Sequence, residues 1–144
     1  MDTDRTLEQL KRLREGRGLR VDRLAASPAV LSSLGTSDPV EGLKVLRLVV
    51  ERMGDGERVR ALKLDFGWDL EVLLERPPSS QELDYLSHRR AAYSTVIGRD
   101  VKTLSRWSDK TLAELRAQLF DDQFDGNIII AAGVTVTGDL EERP

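Results

Sequence analysis

The residues best suited to chemistry are cations that recur in one segment near the C-terminal end of the chain. Lys102, Arg106 and Lys110 follow one another at intervals of four, which places side chains on one face of a helix. With their neighbours they form a candidate DNA-binding set: Arg89, Arg90, Arg99, Lys102, Thr103, Ser105, Arg106 and Lys110. Cations and hydroxyls near a helix N-terminus can bond phosphates and base edges. The pattern therefore predicts a binding surface.

Charge is distributed unevenly around this segment. Residues 84–119 contain seven Lys or Arg and four Asp or Glu, a balance of +3, whereas residues 120–144 contain six acids and one cation, a balance of −5. The whole chain carries −3, which argues against indiscriminate coating of nucleic acid. A specific binder is still compatible with this charge, because the position of the cations matters more than their total number.

Other chemistry has little support in the residues. The chain has one histidine, His88, and no cysteine, so a transition-metal site lacks ligands, and the carboxylates do not follow the spacing of a cation-binding loop. No glycine-rich phosphate loop and no nucleophile elbow is present. We therefore expect no metal, no cofactor and no enzymatic activity.

A pair of helices must position the cations. One helix is predicted from about His88 to Ile97, and Gly98 follows where a tight turn needs a residue that tolerates positive φ. The second helix runs to Leu119, with Asp109 among the polar residues on its exposed face. Its buried stripe is predicted as Val101, Leu104, Trp107 or Ser108, Thr111, Leu112, Leu115 and Leu119. Two helices joined by a glycine turn are typical of a helix-turn-helix.

The segment Gly98 to Lys110 resembles the second half of the helix-turn-helix of sigma-factor region-4-like and related actinobacterial regulators. The whole resemblance covers about residues 89–119. The resemblance implies that Gly98 is the turn glycine and that Val101, Leu104 and Trp107 are apolar supports. It also implies that the neighbouring cations and hydroxyls face DNA. Ser94 stands where that pattern favours alanine, and Asp100 places an acid near the phosphates unless it caps the helix. We expect Lys102, Ser105 and Arg106 to address bases, and Arg89, Arg90, Arg99 and Lys110 to address phosphates.

The remainder of the chain reads as a helical bundle over residues 1–76. Apolar periodicity predicts helices at about 6–15, 19–34 with a break at Ser27-Pro28, 36–53 and 57–66, followed by a short apolar segment of undecided type. Ser27 is expected to cap the helix that restarts at Pro28, and Ser37 or Asp38 to cap the third helix. The inward face of the third helix is predicted as Val40, Leu43, Leu46, Val50 and Met53, with Leu48 and Val49 widening that stripe. Pro77 and Pro78 interrupt regular structure. Ser79 to Glu82 is a capping box, which begins a predicted helix-turn-helix unit over residues 79–120.

An acidic tail over residues 121–144 holds the only β signal. Two interpretations stay open for it: a hairpin beside the second helix, or a strand that pairs with another copy or another protein. The second is slightly favoured because a lone apolar edge promotes association. The residues concerned are Ile128, Ile130, Val134 and Val136. A strand that merely covers helices of its own chain is the simplest alternative.

The sequence thus predicts a mainly α protein, without a membrane span or a signal peptide, that acts in the cytoplasm as a small DNA-binding transcriptional regulator and homodimer. The alternative function is a non-enzymatic helical adaptor that binds a protein partner through the bundle and the β tail. A continuous positive face that contains Arg89, Arg90, Arg99, Lys102 and Arg106 favours DNA binding. Pairing of these cations to acids of the same chain favours the adaptor.

Overall fold

A computed structural model describes residues 2–119 of the chain. These residues form nine helices and no strand, which confirms the mainly α prediction for the part described. The helices are α1 (Asp2–Arg12), α2 (Val21–Ala25), α3 (Pro28–Ser33), α4 (Pro39–Arg52), α5 (Glu57–Asp65), α6 (Leu70–Leu74), α7 (Ser80–Asp84), α8 (Leu86–Ile97) and α9 (Val101–Leu119). The predicted β segment, with Ile128, Ile130, Val134 and Val136, lies outside the described residues.

Local capping chemistry explains where several helices begin. The Asp38 side chain accepts a hydrogen bond from the Val40 N–H, with Pro39 at the first position of α4. The capping box is present as predicted, because Ser79 and Glu82 each accept the other's backbone N–H.

The start of α3 differs from the prediction that Ser27 caps it. The Ser27 hydroxyl donates to the Arg23 carbonyl at 3.0 Å, so it does not cap the helix that follows. The side-chain oxygen of Gln9 in α1 accepts the N–H groups of Ala29 and Val30 at 2.9 and 3.2 Å. A residue of another helix therefore satisfies the free N–H groups at the start of α3.

Helices from both halves of the chain share one main core. Leu112, Leu115 and Leu119 of α9 are buried in the same cluster as Leu10 of α1 and Leu62 of α5. Ion pairing between Arg58 and Glu114 also joins α5 to α9. Pro77 and Pro78 thus interrupt helix but do not separate two cores, and the predicted division of the chain near residue 76 is not seen in this packing.

A second, smaller cluster supports the beginning of α9. It contains Leu104 of α9, Tyr93 of α8, Leu64 of α5 and Leu73 of α6, with Trp107 packed at its edge. The two ends of α9 are thus held in different parts of the interior, so this helix has a fixed position in the fold.

Two glycines allow the backbone to cross itself beside the core. Gly18 has φ +91°, and a Cβ placed there would lie 2.2 Å from the Phe66 carbonyl oxygen. Gly67 has φ +77°, and its Cβ would lie 2.9 Å from the Arg17 carbonyl oxygen. The close approach lets the Leu19 N–H donate to the Phe66 carbonyl at 2.8 Å, which ties the end of α5 to the segment that precedes α2.

Within residues 2–119, no helix is both long and apolar enough to cross a bilayer.

Candidate nucleic-acid interface

The cations predicted to bind DNA follow a sharp turn between α8 and α9. α8 ends at Ile97, and Gly98 has φ +71°, with its N–H donating to the Ser94 carbonyl at 2.9 Å. The Asp100 carboxylate accepts the Thr103 N–H at 2.8 Å and so caps α9. The pKa of Asp100 is lowered, and this hydrogen bond is the main cause. Asp100, the acid that departs from the resemblance, therefore caps the helix.

Four cations of the predicted set are exposed on this part of the molecule. Lys102, Arg106 and Lys110 lie on the outer face of the first three turns of α9, opposite buried Leu104, and Arg99 lies in the preceding turn. We refer to Arg99, Lys102, Arg106 and Lys110 as the α9 cation stripe. None of the ion pairs formed within residues 2–119 includes a member of this stripe.

Contacts within the stripe leave its charge accessible. The Arg99 guanidinium lies over the Trp107 ring at 5.7 Å from the ring centroid, which orients the cation without neutralising it. Arg106 approaches the Thr103 hydroxyl at 3.4 Å. Thr103 and Ser105 are half-buried, and each keeps a hydroxyl near the exposed face.

Arg89 does not belong to this surface, which corrects the prediction that it contacts phosphate. Its side chain is 0% exposed. The Arg89 Nε donates to the Leu64 carbonyl at 3.0 Å, and Nη2 donates to the carbonyls of Arg14 and Asp65 at 3.0 and 2.8 Å. The Nη1 atom donates to the carbonyls of Gly16, Glu82 and Leu83 at 2.7, 3.2 and 3.2 Å.

The acceptors of Arg89 lie at or just beyond the C-terminal ends of α1, α5 and α7. The last carbonyls of a helix have no partner within the helix, and they carry the negative end of its dipole, which a cation stabilises. Burial lowers the pKa of Arg89 through desolvation, but a guanidinium stays charged in proteins. Arg89 therefore joins three helix ends inside the fold.

Arg90 is also turned inward, which corrects the second predicted phosphate contact. Its Nε and Nη2 donate to the two carboxylate oxygens of Asp65 at 3.1 and 2.7 Å, a bidentate pair. The Asp65 side chain is only 1% exposed. An Arg90→Ala substitution should consequently weaken the fold, instead of flattening the salt dependence of DNA binding.

Arg14 connects this buried cluster to α9. Its Nη1 lies 3.8 Å from the Asp65 carboxylate, donates to the buried Ser108 hydroxyl at 2.9 Å, and donates to Asp109 at 2.8 Å. Asp109, predicted to be one of the polar residues facing outward, is thus partly neutralised by α1. The cluster fixes α9 against α1 and α5, so the stripe has a defined orientation.

The buried face of α9 matches the prediction except at its start. Leu104, Leu112, Leu115 and Leu119 are buried, and Ser108 and Thr111 are both fully buried. Val101 was predicted to be an apolar support, yet it is 42% exposed. It occupies the first position of α9, where the helix extends beyond the packed surface of α8.

Sequence reasoning missed Arg14 and Asp65, and it placed Ser108 on the buried stripe without its contact to Arg14. Arg14 and Asp65 each occupy a position that also suits a solvated charge, and no short-range pattern distinguishes a paired interior charge from an exposed one. The hydrogen bond from Arg14 to Ser108 spans 94 residues of sequence. Only the three-dimensional packing brings these residues together.

Comparisons with family models, with curated proteins and with solved structures find no significant match to this chain. The resemblance of Gly98 to Lys110 to sigma-factor region-4-like regulators therefore stays a prediction.

Proposed function

We propose that this protein is a small DNA-binding transcriptional regulator that reads duplex DNA through a helix-turn-helix formed by α8, Gly98 and α9. The observation that carries the proposal is the α9 cation stripe: four exposed cations in one row, without an acidic partner among residues 2–119. Such a row is complementary to the phosphates that border the major groove.

The arrangement of α9 supports this role. Its first turns are supported by the smaller cluster and its last turns by the main core, while the face that carries Lys102, Arg106 and Lys110 is exposed, so the helix can present that face to a groove without losing its support. In this proposal Lys102, Ser105 and Arg106 address base edges, and Arg99 and Lys110 address phosphates. Thr103 supplies a further hydroxyl at the same surface. Arg89 and Arg90 hold the fold from inside.

Fluorescence anisotropy with a labelled duplex of random sequence, at low salt, tests the proposal. We expect salt-sensitive binding by the wild-type protein, and at least a tenfold weaker affinity for the double variant Lys102→Ala, Arg106→Ala. The loss follows because, on DNA of random sequence, Lys102 and Arg106 have no specific base to address and lie near phosphates, and each such contact releases counterions and contributes to nonspecific affinity.

Arg52→Ala is the matched control. Arg52 is an exposed cation at the end of α4, outside the stripe, and forms no ion pair with the described residues. Its substitution removes the same single charge as the single variant Arg106→Ala, and it should leave the affinity within about twofold of wild type, because the contact is local to α9. Equal losses in Arg52→Ala and Arg106→Ala would mean that binding follows total charge, not this surface.

The second candidate is an adaptor that binds a protein partner, and two observations favour it. Arg90 is paired with Asp65 inside the fold, which is the pairing expected for an adaptor, and Arg89 is buried against backbone carbonyls. Arg99, Lys102 and Arg106 are exposed without an acidic partner among residues 2–119, so the five cations do not all favour one function. An apolar groove also lies between α2 and α4.

A homodimer would serve either function, since DNA sites are commonly read as two half-sites. Light scattering with and without duplex separates these outcomes, because an adaptor forms no complex with DNA.

A further inference from the structure

An open apolar groove runs along the outer side of α4 and reaches α2. Its volume is about 530 Å³. The apolar lining consists of Val21, Val40, Leu43 and Leu48, and the charged side chains of Lys44, Arg47 and Glu51 border it. Val40 is 48% exposed and Val21 is 37% exposed.

The groove is the part of α4 that the core leaves uncovered. Val45, Leu46, Val49 and Val50 of α4 are buried in the main core. Val40 and Leu43 were predicted from the sequence to be inward-facing and Leu48 to widen the same stripe, yet Val40 is exposed and the two leucines are only partly buried. The apolar stripe of α4 is thus wider than the described helices can cover, and a contiguous exposed apolar patch marks a contact surface.

The chain itself supplies a segment with the right composition. Beyond Leu119 it continues for 25 residues, in which three acids, Asp121, Asp122 and Asp125, precede the apolar run that begins at Ile128. At the groove, Glu51 is paired with Arg47 and Lys63, and Arg47 is also paired with Asp69. Lys44 is exposed and has no acidic partner among the described residues, so it is the charge at the groove that an acidic segment can neutralise. An acidic stretch followed by aliphatic side chains complements a groove of this kind.

The end of the described chain lies within reach of the groove. α9 contacts α4, and Leu119 at the end of α9 is buried in the core cluster to which Val50 of α4 also belongs. The eight residues from Phe120 to Asn127 can span about 26–29 Å when extended. This span is about twice the radius of gyration of about 14 Å that a chain of this size adopts.

We propose that the segment 128–136 of the same chain docks in the groove between α2 and α4. Attachment through a short link raises the local concentration of the segment to the order of millimolar, which favours its own groove over that of a second copy. This proposal does not depend on DNA binding.

Disulfide trapping in the full-length chain tests the docking directly, because the chain contains no cysteine. Val40→Cys is combined with Ile130→Cys, and the control combines Val101→Cys with Ile130→Cys. Val101 matches Val40 in exposure, at 42% against 48%, but lies at the start of α9. Under mild oxidation we expect an intramolecular disulfide in the Val40 variant that forms at least tenfold faster than in the control, with both remaining monomeric by light scattering.

Other outcomes overturn the proposal. Equal rates in the two variants would mean that the segment has no preferred site, and a disulfide-linked dimer would place the segment on a second copy. Failure of the Val40 variant to form the intramolecular bond would mean that the segment 128–136 does not occupy the groove.

A second variant provides an independent test by hydrogen exchange. Val40→Asp places a negative charge at the groove, where it repels the acidic link. Because Val40 is 48% exposed, the substitution should not unfold the protein, and the melting temperature checks this. Amides of residues 128–136 should lose at least tenfold protection in this variant and none in Val101→Asp. Unprotected amides in the wild-type protein would refute the docking.

Discussion

Replacement of Arg89 by methionine tests whether a buried cation holds this fold together. Methionine is unbranched and apolar like the stem of arginine, but it is shorter and has no hydrogen-bond donor. The substitution removes six donor–acceptor contacts of 2.7 to 3.2 Å, and the wild-type side chain is 0% exposed. The carbonyl groups at the ends of α1, α5 and α7 then lose their common donor, and those in the interior cannot be reached by water.

Two opposing effects set the size of the loss. Removal of the guanidinium relieves the desolvation of a buried charge, and apolar replacement of a whole ion pair can even stabilise a protein. Here the acceptors stay behind, and each unsatisfied buried group costs about 1–3 kcal/mol. Because some carbonyls near the surface can be hydrated, we expect a net loss of about 3–5 kcal/mol.

Thermal unfolding followed by circular dichroism measures this loss. For a domain of this size about 1 kcal/mol corresponds to about 4 °C, so Arg89→Met should lower the Tm by about 12–20 °C. Arg89→Lys should recover only part of it, since lysine has three donors and no planar fork. Arg106→Met, on the exposed stripe, should shift the Tm by less than about 2 °C. A shift equally small in Arg89→Met would refute the assigned role.

Three further predictions address other parts of the fold and the candidate interface. Gly18→Ala should destabilise the protein by about 3 kcal/mol or more in urea unfolding, because the Phe66 carbonyl must move away from the new Cβ. Gly54→Ala, at φ +104° with no atom within 4 Å of the new Cβ, should cost only about 1–2 kcal/mol of backbone strain. Similar losses in the two variants would mean that the backbone crossing at Gly18 is not tight. The pKa of Glu82 is lowered from 4.5 to about 2, chiefly by its hydrogen bond with Arg76. The stability that Glu82 contributes is therefore complete above about pH 4.5 and is lost as the pH falls towards 2. In an acid titration over that range, the stability of Glu82→Gln should fall less steeply than that of the wild-type protein, and an unchanged profile would contradict this. Asp100→Asn keeps a capping oxygen for α9 but removes an acid beside the α9 cation stripe. The affinity for duplex DNA should therefore rise several-fold, with the Tm nearly unchanged. A lower affinity would mean that DNA binds at a surface other than the stripe.

Features set by neighbouring residues could be predicted from the sequence. The cap at Asp38, the capping box from Ser79 to Glu82 and the turn at Gly98 all depend on side chains within a few positions of the backbone groups that they serve. Their stereochemistry is fixed by residue type, so the start of α4 and the turn before α9 were located correctly.

Features that depend on distant residues could not be predicted. The charge of Arg89 gave reason to place it on the surface, yet its acceptors include carbonyls 73 and 75 residues away. The same holds for Gln9, which caps α3 across 20 residues. Apolar periodicity identified α4 but not which side of its wide stripe the core would cover, so Val40 was placed inside although it is exposed.

The salt dependence of duplex binding tests the central proposal, DNA binding through the α9 cation stripe, most directly. With all four cations near phosphates of random DNA, the logarithm of the binding constant should fall against the logarithm of salt concentration with a slope of about −3 to −4, and Lys102→Ala with Arg106→Ala should reduce that slope by about 2. The Arg52→Ala control should keep the wild-type slope. Absence of salt-sensitive binding, or a slope that the double variant leaves unchanged, would contradict the proposal.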